Sequence, residues 1–282
     1  MAHTILTILG ISVIIAVPSS MLVLSLEAGR PYLKELFGNR GMLVRYFLVM
    51  FIIIPSLAVL LLLLDSAHTA IWIPVMVIVL SPTSPGMIKG ITKLGGNPNI
   101  SIAWMITAIF LSFIMIPLSL LFIGQFFKVS IDLGIDDVAI KLSILFIAPL
   151  LVGFIVRNNL PNFAPILKNV LDLLSKVASI VMIICVLIIS VPVIIKSDPI
   201  NLLLIFVFLV ISLAVAHFME LPSKKYGPIL PLSVVLRVPV PALVLAGIND
   251  KTMVYAPVIL SFVIIGMIVM ALYKKLLFGK AK

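Results

Sequence analysis

Hydrophobic residues along this chain fall into long runs separated by short polar stretches. The runs cover residues 4–26, 42–64, 69–93, 100–126, 138–156, 167–195, 200–218, 227–248 and 252–277. Most are about 20 residues long or slightly longer, the length that an α-helix needs to cross a hydrocarbon core of ~30 Å. Strands of a membrane barrel would instead alternate in polarity over roughly ten residues. The pattern therefore predicts nine transmembrane helices joined by short connections.

The composition supports a membrane protein and gives no sign of an enzyme. The chain is 63% hydrophobic and 11% charged, whereas soluble domains are about a quarter charged. In lipid, backbone polar groups must be paired internally, which favours helices. The single cysteine, Cys185, lies in an apolar run and cannot form a disulfide framework. Because the chain also lacks phosphate-binding, metal-ligand and nucleophile motifs, we predict an all-α polytopic membrane protein without catalytic activity or cofactor.

The net charge of +10 reports topology and not nucleic-acid binding. Most cations lie in one set of alternate loops and in the tail, namely Arg30, Lys34, Arg40, Arg45, Lys89, Lys93, Arg157, Lys168, Lys176, Lys224, Lys225, Lys274, Lys275, Lys280 and Lys282. The opposite side holds Lys128, Lys141, Lys196 and Lys251. The positive-inside rule then predicts a protein of the plasma (cytoplasmic) membrane with its N-terminus outside the cell and its C-terminus in the cytoplasm. The predicted partners are the lipid bilayer and a small substrate.

The third and eighth hydrophobic segments contain helix-breaking residues. The third includes Pro82, Pro85 and Gly86, and the eighth includes Pro239 and Pro241. Proline removes a backbone donor and clashes with the preceding turn. Simple proline kinks are one interpretation of either segment. Two interruptions in comparable places instead favour a transporter site built from an inverted repeat.

The stretch from the first interruption onward resembles the bile acid:sodium symporter family. Pro82 matches the proline of that family's broken helix, and Gly96 and Asn97 match the Gly-Asn turn that follows. Ser101 matches the serine of its Leu-Ser pair, and Pro117 matches the late proline of the next helix. The order of segments is similar over nearly the whole chain.

This resemblance implies an inverted-repeat fold of nine spans in two bundles. Residues 66–127 and 226–278 would form a core that contains both broken helices, crossing near the middle of the membrane. Residues 1–65 and 136–220 would form a panel of the other five spans. Substrate would enter between core and panel.

The sequence departs from the family where sodium would bind. The family's Ser-Asn pair falls on Met87 and Ile88, and its Glu and Gln-Asn fall in the stretch 236–240, which has no carboxylate. Only Ser101 keeps its hydroxyl. Hard cations need oxygen ligands, so the usual sodium ligands are mostly absent and sodium coupling at those sites is not expected.

A buried arginine takes the place of these ligands. Arg237 lies about mid-segment, where an unpaired charge costs at least ~2.5–3.5 kcal/mol. It either acts as counter-ion to an anionic substrate, replaces sodium, or forms a structural pair with a carboxylate or with carbonyls of the broken helix. The candidate substrate-binding residues are Arg237, Ser81, Thr83, Ser84 and Ser101, with Lys89, Asn97 and Thr107 as secondary candidates. Glu27 and Glu220, at cytoplasmic helix ends, are expected to be solvated.

These features predict a secondary transporter that moves a small organic anion, bile-acid-like or a carboxylate metabolite, by alternating access. The alternatives are a passive facilitator or channel on the same scaffold, a sodium symporter with relocated ion sites, and a sensor or partner subunit that does not transport. The sequence does not identify the substrate, the coupling ion or the oligomeric state.

Overall fold

The computed structural model of the chain describes residues 2–28, 30–64, 68–127, 135–196, 198–220, 226–248 and 252–278. These residues are helical nearly throughout. The helices are α1 (Ala2–Glu27), α2 (Arg30–Gly38), α3 (Arg40–Phe47), α4 (Ile54–Leu64), α5 (Thr69–Leu80), α6 (Gly86–Lys93), α7 (Pro98–Phe127), α8 (Ile135–Leu142), α9 (Ala148–Asn159), α10 (Ala164–Lys196), α11 (Pro199–Met219), α12 (Ile229–Val235), α13 (Val240–Ile248) and α14 (Thr252–Phe278).

Seven helices in the described ranges are long and apolar enough to cross a membrane. Two of them are composite, because π-helical turns join α3 to α4 and α8 to α9. The other two expected spans are divided into α5 with α6 and α12 with α13, whose halves have 12, 8, 7 and 9 residues. None of these halves reaches the roughly 20 residues that a single crossing needs. The all-helical membrane class is confirmed, and the count of nine spans stays a prediction.

The two π-helical turns each come directly before a proline. Leu48–Ile53 leads to Pro55, and Ser143–Ile147 leads to Pro149. Proline lacks the N–H that would continue the regular ladder. The residue before each proline donates instead to the carbonyl five residues back, which widens the turn.

The helices pack around an interior formed by the broken segments. Helix α1 lies along α10 and α9, and the outer residues of α10, such as Leu173 and Ile180, remain exposed as expected for a lipid-facing surface. Helices α5, α12 and α13 contact α14, and α6 packs on α7 and α12. Trp72 and Trp104 are both fully buried in this interior. The broken helices are therefore held by neighbours on several sides.

The connections contain one element that the hydrophobic pattern does not predict. Helix α2 occupies the first loop and packs against α7, with Leu36 fully buried. Glu27 lies at the end of α1, where it forms an ion pair of 2.7 Å with Lys168 and stays about one third exposed. Several charges used to predict the orientation lie outside the described residues, namely Lys128, Lys224, Lys225, Lys251, Lys280 and Lys282.

Candidate functional site

Both interrupted helices contain a non-helical stretch where the prolines predict one. Helix α5 ends at Leu80 and α6 begins at Gly86, and Pro82 and Pro85 lie between them. Ser81 has an extended backbone (φ −65°, ψ 152°), as expected for a residue that precedes proline. Helix α12 ends at Val235 and α13 begins at Val240, with Pro239 in the gap. Pro241 lies in the first turn of α13 and not in the gap itself.

The two extended stretches cross and pair with each other. Thr83 and Arg237 form an isolated antiparallel bridge. The Ser84 amide donates to the Leu236 carbonyl at 2.8 Å, and the Val238 amide donates to the Pro82 carbonyl at 2.9 Å. Backbone groups released by the helix breaks thus satisfy one another, which a buried non-helical segment requires.

Arg237 sits at this crossing with its guanidinium turned toward backbone carbonyls. It is 4% exposed. Its Nη1 donates to the Ser81 carbonyl at 2.9 Å, and its Nε donates to the Val234 carbonyl at 3.1 Å. These carbonyls belong to the C-terminal ends of α5 and α12, where unpaired oxygens carry partial negative charge. No described carboxylate pairs with Arg237, and its Nη2 has no partner in the described part of the chain.

The predicted hydroxyl residues of the first break differ in how they are bonded. The Ser81 hydroxyl is buried and donates to the Val77 carbonyl at 3.0 Å. The Ser84 hydroxyl lies 3.4 Å from the Gly86 amide. The Thr83 hydroxyl is fully buried and has no hydrogen-bond partner among the described residues. The crossing therefore holds two unused polar groups, Thr83 Oγ1 and Arg237 Nη2.

The remaining predicted residues make bonds within their own helices or lie in solvent. Ser101 is buried and donates to the Asn97 carbonyl at 3.0 Å, and Thr107 donates to the Ala103 carbonyl at 2.9 Å. Asn97 shapes the turn before α7 by accepting from the Asn99 amide at 2.9 Å. The Lys89 side chain is exposed. The structure brings Arg237, Ser81, Thr83 and Ser84 together and joins none of these others to them by a hydrogen bond.

A narrow apolar cleft lies beside the crossing, and its volume of about 10 Å³ is room for roughly one water molecule. Pro82 and Pro241 form one wall, and Phe113 of α7 and Phe146 of the second π-helical turn form others. Ser112 also lines the cleft, and its buried hydroxyl has no partner among the described residues. Sites for small organic molecules measure about 300–1,000 Å³, so the cleft is too small to hold one in the conformation seen here.

The residues at the family's sodium position do not fit a bound sodium ion. Met87 is fully buried and its sulfur lies 2.9 Å from the Ser233 hydroxyl. A thioether is a poor ligand for a hard cation. Two carbonyls of the crossing that could serve as oxygen ligands, those of Ser81 and Val234, already accept from Arg237. The described residues also contain no group of three or more His, Cys, Asp or Glu suited to a metal ion.

The expectation that Glu220 is solvated is wrong. Its carboxylate accepts a hydrogen bond from the Tyr46 hydroxyl and another from the Leu230 amide at 2.5 Å. Burial raises the pKa of Glu220 to about 7, although both hydrogen bonds and Arg45 act to lower it. Tyr46 is 174 residues away along the chain, so no local pattern could have indicated this contact.

Comparison with known proteins gives the family. The sequence matches the Sodium Bile acid symporter family over residues 10–197, more than half of the chain. The chain belongs to this family, whose members are membrane transporters and not enzymes. The match includes the first break and ends before the second. A search of curated proteins finds no match for the chain. The predictions of the family, of a multi-pass membrane protein and of no enzymatic activity are thereby confirmed.

Proposed function

We propose that this protein is a secondary transporter for a small organic anion, and that Arg237 supplies the positive charge that sodium supplies elsewhere in the family. The observation that carries the proposal is the placement of the guanidinium on the carbonyls of both helix breaks. Carbonyls at half-helix ends are the groups that hold coupling cations in broken-helix transporters. A tethered cation at this position makes a bound sodium ion unnecessary.

The charges that remain at the crossing support an anionic substrate. Two of the guanidinium nitrogens donate to backbone carbonyls. The carbonyl dipoles offset only part of the positive charge, and arginine does not lose this charge at ordinary pH. Nη2 and the Thr83 hydroxyl are left to bind a ligand. The adjoining cleft is lined mostly by apolar side chains, and once widened by movement of core against panel it would suit a hydrocarbon body with one acidic group, such as a bile-acid-like or carboxylate metabolite.

We further propose the topology that this mechanism needs. Helices α5 with α6 and α12 with α13 each cross the membrane as a pair of half-helices, which gives nine spans. Residues 66–127 and 226–278 act as the core, and residues 1–65 and 136–220 act as the panel. The N-terminus lies outside the plasma membrane and the C-terminus in the cytoplasm. Substrate passes between core and panel by alternating access.

The test is a thermal-stability screen of the purified protein against bile acids and small mono- and dicarboxylates, in sodium chloride and in choline chloride. We expect at least one anion to raise the Tm equally in both salts. The same anion should leave the Tm of Arg237→Gln unchanged, since the charge is gone. Stabilisation that requires sodium would contradict the tethered-cation role, and ligand stabilisation that survives in Arg237→Gln would show that the arginine is structural.

A passive facilitator is the second candidate, because loss of the sodium position removes a known driving force. Counterflow in proteoliposomes separates the two functions. An excess of unlabelled anion inside the vesicles accelerates entry of labelled anion through a carrier, whereas flux through a channel shows no such stimulation. We expect trans-stimulation, as alternating access requires.

A further inference from the structure

The end of the bundle where α12 begins carries a half-buried acid, Glu220, that the proposed substrate site does not use. Glu220 follows the last residue of α11, and its two oxygens bond to different elements, the Tyr46 hydroxyl on α3 and the Leu230 amide on α12. One carboxyl group therefore ties the proposed panel, which includes α3 and α11, to the first half of the second broken helix. Separation of these elements must break at least one of the two bonds.

The acid is linked through packed side chains to the crossing. The Tyr46 ring meets the Trp104 ring edge to face, with centroids 5.1 Å apart. The Trp104 indole N–H donates to the Ser233 hydroxyl at 3.2 Å. Ser233 lies on α12, next to Val234, whose carbonyl accepts from Arg237. Movement of Tyr46 relative to α12 therefore disturbs contacts on the same half-helix that holds the fixed charge.

Charged and titratable groups from every neighbouring element face this acid. Arg45 and Tyr46 come from α3 and Tyr273 from α14. Tyr226, in the segment before α12, interacts with Tyr46 and lies 3.5 Å from Glu35 of α2. His217 lies on α11 itself, and its Nδ1 is 3.0 Å from the Tyr273 hydroxyl. Among the described residues, Arg45 is the one cation that lowers the pKa of Glu220, and no hydrogen bond joins the two side chains there.

We propose that Glu220 is a proton-binding group that operates a gate formed by α3, α11 and α12, with the protonated acid favouring the closed contact seen here. The inference rests on the proposed function only in that a gate presupposes a transport path. In the closed contact, a neutral carboxyl keeps both partners: its O–H bonds to the Tyr46 oxygen, and its carbonyl accepts from Leu230. Opening admits water, which hydrates the charged form and releases the proton.

The direction of coupling follows from linkage. Burial disfavours the carboxylate in the closed contact and raises the pKa of Glu220 to about 7. In an open, hydrated end the pKa would return toward its ordinary value near 4.5. A proton thus binds the closed arrangement more tightly, so acid shifts the population toward closure and alkali toward opening. The orientation proposed above places this gate on the cytoplasmic side.

The fluorescence of a native tryptophan, Trp104, can report on this gate. It has two tryptophans, and the Trp72→Phe variant leaves only Trp104, which contacts Tyr46. Emission and acrylamide quenching would be recorded in nanodiscs from pH 5.5 to 8.5. We expect a red shift and about two-fold stronger quenching as the pH rises, with a midpoint near 7. The readout needs neither substrate nor flux, so it can fail while the proposed transport function stands.

Four variants in the Trp72→Phe background decide the assignment. Glu220→Gln should give low quenching at every pH. Tyr46→Phe removes a hydrogen bond that favours the carboxylate and should raise the midpoint by about one pH unit. Glu27→Gln, a carboxylate at another helix end with a lysine partner, should leave the transition as it is. A transition retained in Glu220→Gln, an unshifted midpoint in Tyr46→Phe, or a transition lost in His217→Gln would each overturn the proposal.

Discussion

Two ionisable groups of opposite sign lie at the two ends of helix α12, the buried Arg237 and the half-buried Glu220, and they have different chemistry. At its C-terminal end the Arg237 guanidinium bonds to carbonyls. At its N-terminal end the Glu220 carboxylate accepts from an amide. Arginine keeps its charge at any physiological pH, whereas the pKa of Glu220 is raised to about 7 by burial. The group at one end of α12 therefore keeps its charge, whereas the group at the other end can gain or lose a proton near neutral pH.

This contrast suggests a division of labour. A charge that never changes suits a tethered cation that binds the substrate anion at a crossing present throughout the transport cycle. A charge that changes near neutral pH suits a contact that must open and close. Sodium-coupled transporters obtain switchable charge by binding and releasing an ion at the broken helices. In the arrangement proposed here, Arg237 takes the place of that ion, and the switchable group is Glu220 at the other end of α12.

The largest effect is expected from removing the fixed charge. Arg237→Gln loses two charge-assisted hydrogen bonds to buried carbonyls, each of which is worth about 1.5–3 kcal/mol. We expect a loss of about 3 kcal/mol in unfolding free energy and the loss of ligand-induced stabilisation. Arg237→Lys is the matched control, since it keeps the charge and one donor and should lose less.

Sodium provides a second measurement on this site. In Arg237→Ala the Ser81 and Val234 carbonyls lose their donor, and carbonyl oxygens are ligands that a hard cation accepts. Sodium chloride should then raise the Tm of this variant above its value in choline chloride, with no such difference in the wild type. A sodium-dependent Tm in the wild type would contradict the tethered-cation role.

The next largest loss of stability is expected where the turn at Gly96 packs against the turn at Gly227, before the N-terminal end of α12. A Cβ on Gly96 would lie 2.7 Å from the Tyr226 carbonyl oxygen and 3.0 Å from the Gly227 Cα. These are backbone atoms that cannot rotate away, so Gly96→Ala should cost about 1–3 kcal/mol. Gly10→Ala, in α1 with nothing within 4 Å of the added carbon, should be neutral or slightly stabilising. Equal Tm values for the two variants would show that this packing is not tight.

Much of the crossing could be predicted from sequence, whereas the gate could not. Proline chemistry is local, so Pro82 and Pro239 indicate their breaks without knowledge of the fold. A lone arginine in an apolar run also stands out, because its cost in lipid demands a partner. The identity of that partner is not local: the Ser81 carbonyl lies 156 residues from Arg237. No such signal marks Glu220, because a carboxylate at a helix end is common and only its tertiary contacts with Tyr46 and Leu230 partly bury it.

The pH dependence of protein stability distinguishes the role of Glu220 from that of Arg237 in one experiment. Because folding raises the pKa of Glu220 from 4.5 to about 7, the native state holds a proton that the unfolded state releases. The contribution of Glu220 is fully present below about pH 4.5 and is lost as the pH rises to about 7. We expect a loss of about 1–2 kcal/mol across that window, allowing for partial hydration of the carboxyl.

The measurement is the Tm of wild type, Glu220→Gln and Arg237→Lys from pH 4.5 to 8. The Glu220→Gln curve should be flatter than the wild type, because its amide does not titrate. The Arg237→Lys curve should lie below the wild type and keep the wild-type slope. A Glu220→Gln curve parallel to the wild type would assign the pH dependence to another group.

The smallest effect should come from Lys89, the second cation that the sequence offered for the site. Its side chain is exposed on α6, and an exposed charge in high dielectric contributes little to stability, typically under about 1 kcal/mol. Lys89→Gln should therefore change the free energy of unfolding by less than about 0.5 kcal/mol. It should also leave the ligand-induced rise in Tm intact. Both measurements belong beside Arg237→Gln in the same ligand screen. If Lys89→Gln weakened ligand stabilisation as strongly as Arg237→Gln, the substrate anion would have to reach α6, and a site confined to the crossing would be wrong.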